Sequence, residues 1–320
     1  MADKDWGNQT TIKEFILLGF GDLPGLQILL FLIFLVTYIA TMAANTLITV
    51  LIVTDQQLHT PMYFFLGNLS CMEVCYTSTT LPRMLASLLT GDRTISVTGC
   101  FTQLYFFGFL VGNECYLLAV MSYDRYLAIC KPLHYTALMN TRFCLQVAAG
   151  SWLNSSLAIT IIVLFLSQSI FCGPNKIDHF YCDVIPLMEL SCSDTHFVVL
   201  LDFILGSVYT MPPFLLTLMS YAYIITTILR IPSSTGRRKA FSTCSSHLIV
   251  VTIFYGTIMI VYLLPKCDTL PDLNKVFSLC YAVLTPLVNP LIYSLRNREV
   301  KGALSKASRK CGFPKTVLRL

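Results

Sequence analysis

Few residues in this chain could do chemistry, and they sit in unusual company. Glu73 and Glu114 interrupt long apolar runs, Asp124 and Arg125 stand side by side at the end of another in "MSYDRYLAIC" (121–130), and Cys244 and His247 are three apart. In water each would be a minor surface feature. At the centre of a bilayer an ionised side chain costs about 2.5–3.5 kcal/mol or more, and it is then usually functional. Asp124 and Arg125 have two readings: a basic anchor that fixes topology, or a switch in which the acid holds the arginine at rest and releases it when helices move. Cys244 and His247 share a helical face, but two ligands make a poor metal site, and no metal is expected there. The membrane acids have no nucleophile or metal set beside them, which argues against an enzyme.

Composition says which solvent these residues meet. The chain has 320 residues, 55% hydrophobic and only 12% charged, against about 25% charged in soluble domains. Charge-free stretches cover Leu23–Thr54, Thr94–Asn113, Phe143–Asn175, Phe203–Leu229, Ala240–Pro265 and Val276–Leu295. Each is long enough for a helix to cross about 30 Å of hydrocarbon. A further apolar span at 61–88 is broken only by Glu73 and Arg83. The expectation is an all-α membrane protein, one seven-transmembrane helix bundle over 1–320: an N-terminal arm (1–26), the bundle (about 27–295) and a tail (296–320).

Seven spans put the two ends of the chain on opposite sides. With the tail inside, fifteen of the 22 basic residues are cytoplasmic, so the N-terminus is predicted to be extracellular. No basic segment with a cleavage site precedes the first span, and no removable signal peptide is expected. Of the sequons at Asn8, Asn68 and Asn154, only Asn8 falls outside the spans, where glycosylation can reach it. Val300, Leu304 and Ala307 recur at helical spacing among the basic residues of the tail, which predicts a short amphipathic helix on membrane lipid rather than a nucleic-acid contact. Cys100, Cys172, Cys182 and Cys192 share the outer side. They suggest two disulfides, and spacing leaves three connectivities open.

"MSYDRYLAICKPLHY" (121–135) closely resembles the third-helix signature of the olfactory receptors, a branch of the rhodopsin-like G-protein-coupled receptors. "LHTPMYFFLGNLS" (58–70), "SYAYI" (220–224), "KAFSTCSSHL" (239–248) and "PLVNPLIYSLRN" (286–297) match in order. "FYGT" (254–257) is that branch's version of the sixth helix, and Ser122 and Ala44 are small deviations from it.

The resemblance implies the switch reading. Arg125 would engage a G protein, with Asp124 its resting partner and Tyr126 beside it; Tyr221 and Tyr293 would support the open state; Asn289 and Pro290 would mark a weak point in the seventh helix. It implies that Glu73 and Glu114 face each other near Asn45 and Asn289, as a protonated pair or, in the preferred reading, around a sodium ion. It pairs Cys100 with Cys182 and Cys172 with Cys192. It lines a ligand site with Phe107, Gly108, Val111, Gly112, Leu205, Gly206, Tyr209, Ile258, Met259, Tyr262 and Ala282. That set suits a small, largely apolar volatile; Asp202, near the top of the fifth span, is the one acid on hand for an amine. The implied function is an odorant receptor at the plasma membrane that couples to a stimulatory G protein and raises cyclic AMP, with no cofactor beyond the sodium ion. The competing class is an ion-coupled transporter or channel using Glu73 and Glu114, but the repeated halves and matched broken helices of such proteins are not seen.

Overall fold

Each long apolar run is helical. The computed structural model describes residues 12–21, 25–172, 174–263, 271–296 and 298–310. In chain order its helices are α1 (Gln27–Thr54), α2 (Pro61–Thr90), α3 (Val97–Cys130), α4 (Pro132–Leu138), α5 (Thr141–Leu166), α6 (Val184–Met188), α7 (His196–Leu229), α8 (Ser234–Ile258, continued as a π-helical turn over Met259–Leu263), α9 (Pro271–Arg296) and α10 (Arg298–Lys310). Local signals set the ends. The side-chain oxygens of Ser96, Asn140 and Ser233 accept the third backbone N–H beyond them and so start α3, α5 and α8. Pro61 opens α2, and Gly91, at φ 75°, takes the left-handed position that closes it.

Seven of these helices, among the described residues, are long. α3 is central, packed on α2, α5 and α7, while α1 lies on α2 and α9, and α8 on α9. Five of them, α1, α3, α5, α7 and the Lys275–Ile292 part of α9, are long and apolar enough to cross a bilayer. The apolar stretch of α8 is shorter, His247–Tyr262, because its first turns carry Arg237 and Arg238. α2 is diluted by Glu73, Arg83 and several hydroxyl residues. Val36, Val53 and Leu153 are 66%, 71% and 73% exposed. Such surfaces suit lipid, which solvates them as well as a protein core does.

One helix defect has a visible remedy. Pro290 has no N–H, so the carbonyl one turn earlier, that of Pro286, loses its partner within α9. Asn45 Nδ2 donates to that carbonyl at 3.1 Å and to Thr41 O at 3.1 Å. The side chain thus ties α1 to the irregular part of α9.

A small three-stranded sheet covers one end of this otherwise all-α fold. β1 (Glu14–Leu17) pairs antiparallel with β2 (Thr94–Ser96), Phe15 opposite Ile95, and parallel with β3 (Lys176–Ile177). The Thr94 start of one predicted span is therefore strand, and α5 ends at Leu166 although its charge-free run continues to Asn175. Absence of charge does not separate a membrane helix from an apolar loop that packs on itself. Phe15 and Ile177 are buried here, and Phe15 meets Phe171 edge-on at 5.5 Å. The expected N-terminal arm is partly a strand of this cover.

Candidate ligand cavity and switch

A cavity of about 240 Å³ lies under the α5–α7 loop, walled by α3, α5, α7, α8 and α9. Phe107, Gly108, Val111 and Gly112 line it from α3, Leu205, Gly206 and Tyr209 from α7, and Ile258 and Tyr262 from the α8 segment. Met259 and Ala282, expected there, do not line it. One residue turns a helix by about 100°, so Ile258 and Tyr262 share the facing side while Met259 turns off it. On α9 the lining residue is Tyr281, and its neighbour Ala282 is buried in helix packing. Gly108 and Gly112 are small because α5 is close. A Cβ on Gly108 would stand 2.5 Å from Ile159 Cδ1, and one on Gly112 3.2 Å from Ser155 Oγ.

The loop above is firmly tied. Cys100 is bonded to Cys182 and Cys172 to Cys192, with Cα separations of 5.5 and 5.9 Å. Gln103 accepts from the Cys182 N–H at 3.0 Å and donates to Thr79 O at 2.9 Å, linking the loop to α3 and α2. Phe107 meets Tyr181 at 4.4 Å and Tyr76 at 5.2 Å between ring centres, contacts worth about 0.5–1.5 kcal/mol each. Asp183 accepts from the Val184 N–H at 2.8 Å through Oδ1 and from the Tyr262 hydroxyl at 3.0 Å through Oδ2. Burial holds the pKa of His179, in this loop, below its ordinary value, despite the opposing pull of Asp183. Asp183 is not among the expected lining residues, yet the loop sets it in the cavity wall.

Below the cavity Glu73 and Glu114 are both buried, 0% and 1% exposed. Asn289 Nδ2 donates to Glu73 Oε1 and, at 3.2 Å, to Glu114 Oε1. Oε2 of each carboxyl has no hydrogen-bond partner among the described residues. Thr285, one turn before Asn289, also leaves its buried hydroxyl without one. Hard oxygen donors converging on a buried, incompletely satisfied pair are the set that a small cation would use.

At the far end Asp124 is buried, and Oδ1 accepts from the Tyr135 hydroxyl of α4 at 2.8 Å. The expected Asp124–Arg125 ion pair does not form among the described residues. Adjacent helical residues point about 100° apart, and the tyrosine reaches the carboxylate first. Arg125 is half-buried, and no hydrogen bond to it forms among the described residues. Tyr221 is buried and hydrogen-bonded to His247 of α8, and Tyr126 packs against Tyr223 at 5.8 Å. Pro290 is buried in α9. Asn8 and the side chain of Tyr293 lie outside the described residues. Asn68 and Asn154 are within α2 and α5, as the topology required.

The family model for olfactory receptors matches residues 34–310. The chain belongs to the olfactory receptor family. Olfactory receptor 6N1 of Homo sapiens is 48% identical over 97% of this receptor and 99% of its own length. Olfactory receptor 11L1 of Homo sapiens is 49% identical over 96% and 95%, and Olfactory receptor 1f45 of Rattus norvegicus 48% over 93% and 96%. Members of the family are G-protein-coupled receptors rather than enzymes, and this olfactory receptor is accordingly a multi-pass membrane protein.

Proposed function

We propose that this chain is an odorant receptor that binds a small, mainly apolar volatile in the cavity between α3, α5, α7 and α8, and in response activates a stimulatory heterotrimeric G protein, raising cyclic AMP. It works as a single domain in the plasma membrane, with the sheet end and Asn8 outside and α10 lying along cytoplasmic lipid. Ligand binding favours one of two bundle arrangements, and in the active one Arg125 meets the G protein. The single observation that carries this is the cavity itself: about 240 Å³, largely apolar, beneath a loop tied by two disulfides. Glu73, Glu114 and Asn289, lying between the cavity and the Asp124 end, support a sodium ion held at rest, which would offset the charge of the acids. Tyr221, Asn289, Pro290 and Tyr293 would carry the movement between the two ends.

The test is cyclic AMP in cells expressing the receptor with a stimulatory G protein, exposed to a broad panel of volatiles. A concentration-dependent rise, absent from cells without the receptor, is expected. A rise only in another second messenger would refute the stimulatory coupling.

A further inference from the structure

The cavity is apolar in area but holds two acidic side chains. Two carboxyl groups line it, Asp183 from the loop and Asp202 from α7, and no lysine, arginine or histidine does. Asp183 is anchored through both oxygens, by the Val184 N–H and the Tyr262 hydroxyl. Asp202 is half-buried, and no hydrogen bond to it forms among the described residues. A carboxyl group in such a wall is costly unless something supplies a donor or a positive charge. The remaining polar lining, Ser155, Ser207, Thr210 and Tyr209, carries no charge.

We propose that the cavity selects a volatile amine whose protonated nitrogen is held by Asp202, with the field of Asp183 behind it, and whose hydrocarbon part lies against α3 and α5. This rests on the odorant-receptor reading and names the ligand class for it. Three features converge on that class. A charge-assisted N–H to carboxylate bond is about twice as strong as a neutral one, and Asp202 offers the acceptor. Phe107, Tyr209, Tyr262 and Tyr281 all line the cavity, and aromatic faces attract cations. A carboxylic acid would meet two acidic side chains and no cationic partner. The volume, about 240 Å³, falls below the roughly 300–1,000 Å³ of pockets for drug-sized ligands, which limits the amine to a small one.

The experiment uses the full-length receptor purified in detergent at neutral pH, with thermal stability as readout. The probes are heptylamine, cyclohexylamine and N,N-dimethylcyclohexylamine, each beside its isosteric alcohol or hydrocarbon, and hexanoate. At least one amine is expected to raise the melting temperature at a concentration about tenfold or more below its neutral isostere. Asp202→Asn should weaken that amine by about tenfold or more without lowering the ligand-free melting temperature, since it removes a carboxyl group that has no hydrogen-bond partner among the described residues. Asp202→Glu should retain most of the effect. Equal potency of alcohols and amines, unchanged amine binding in Asp202→Asn, stabilisation by hexanoate, or no binding by any amine would each overturn the proposal. A cyclic AMP response to neutral volatiles alone would overturn the amine class while leaving the receptor reading intact. Amine binding without any cyclic AMP response would support the site and count against the coupling.

Discussion

Replacing Asn289 by alanine should destabilise the receptor severely, because one amide nitrogen serves two buried acids. Asn289 Nδ2 donates to Oε1 of Glu73 and of Glu114, and neither carboxyl has a partner for Oε2 among the described residues. Asn289→Ala therefore leaves both groups without the amide that joins them. Hydrogen bonds to charged groups are worth about 1.5–3 kcal/mol each, so with both acids ionised around a cation the loss is about 3–6 kcal/mol, a factor of a hundred or more in the folded population. By the scaling for domains of 150–250 residues, the melting temperature should fall on the order of 10 °C. The assay can use the receptor's own thiols: Cys115, Cys144 and Cys244 are free and buried, so a thiol-reactive dye reports unfolding of detergent-solubilised protein. In Glu73→Gln/Asn289→Ala the losses should not add, because both changes act on one cluster. Asn289→Ala melting within about 2 °C of the parent would refute the claim that this amide clamps the two acids.

Three further outcomes follow from single contacts. His179 is held below its ordinary pKa by burial, so the folded loop binds a proton less readily than the unfolded chain; stability is complete above about pH 6.5 and falls as pH drops below it. Melting temperatures at pH 7.5 and 5.5 should show that slope, and His179→Gln should flatten it. Gly108→Ala pushes a methyl group against Ile159 at a cost of about 1–3 kcal/mol, and should lower surface expression, read by flow cytometry, and shift ligand preference toward smaller molecules. Tyr135→Phe removes the hydroxyl bonded to Asp124; basal cyclic AMP at matched surface level should rise, and an unchanged basal level would count against Tyr135 as the resting restraint.

How much of this was legible in the sequence depends on which force did the positioning. The membrane helices were legible because hydrocarbon imposes a length and a lack of charge that the chain shows directly. Their outer ends were not, since β2 and the residues after Leu166 carry no charge either and pair with distant segments. Nine of the eleven expected lining residues reach the cavity, while Met259 and Ala282 miss it by one helical step. Asp183 escaped notice because its position depends on a loop fixed by Cys100–Cys182 and by Gln103. The sequence puts Arg125 beside Asp124, but adjacent residues of α3 diverge, and it is Tyr135, on α4 after the chain turns at Lys131, that reaches the carboxylate.

The most direct test of the account is the cyclic AMP response to an activating volatile, measured for the parent and for Arg125→Ala at equal surface level. The account predicts that the variant still binds the volatile, by its thermal stabilisation in detergent, but loses the response. A full response from Arg125→Ala would contradict the switch and leave that arginine as a topological anchor at the membrane edge.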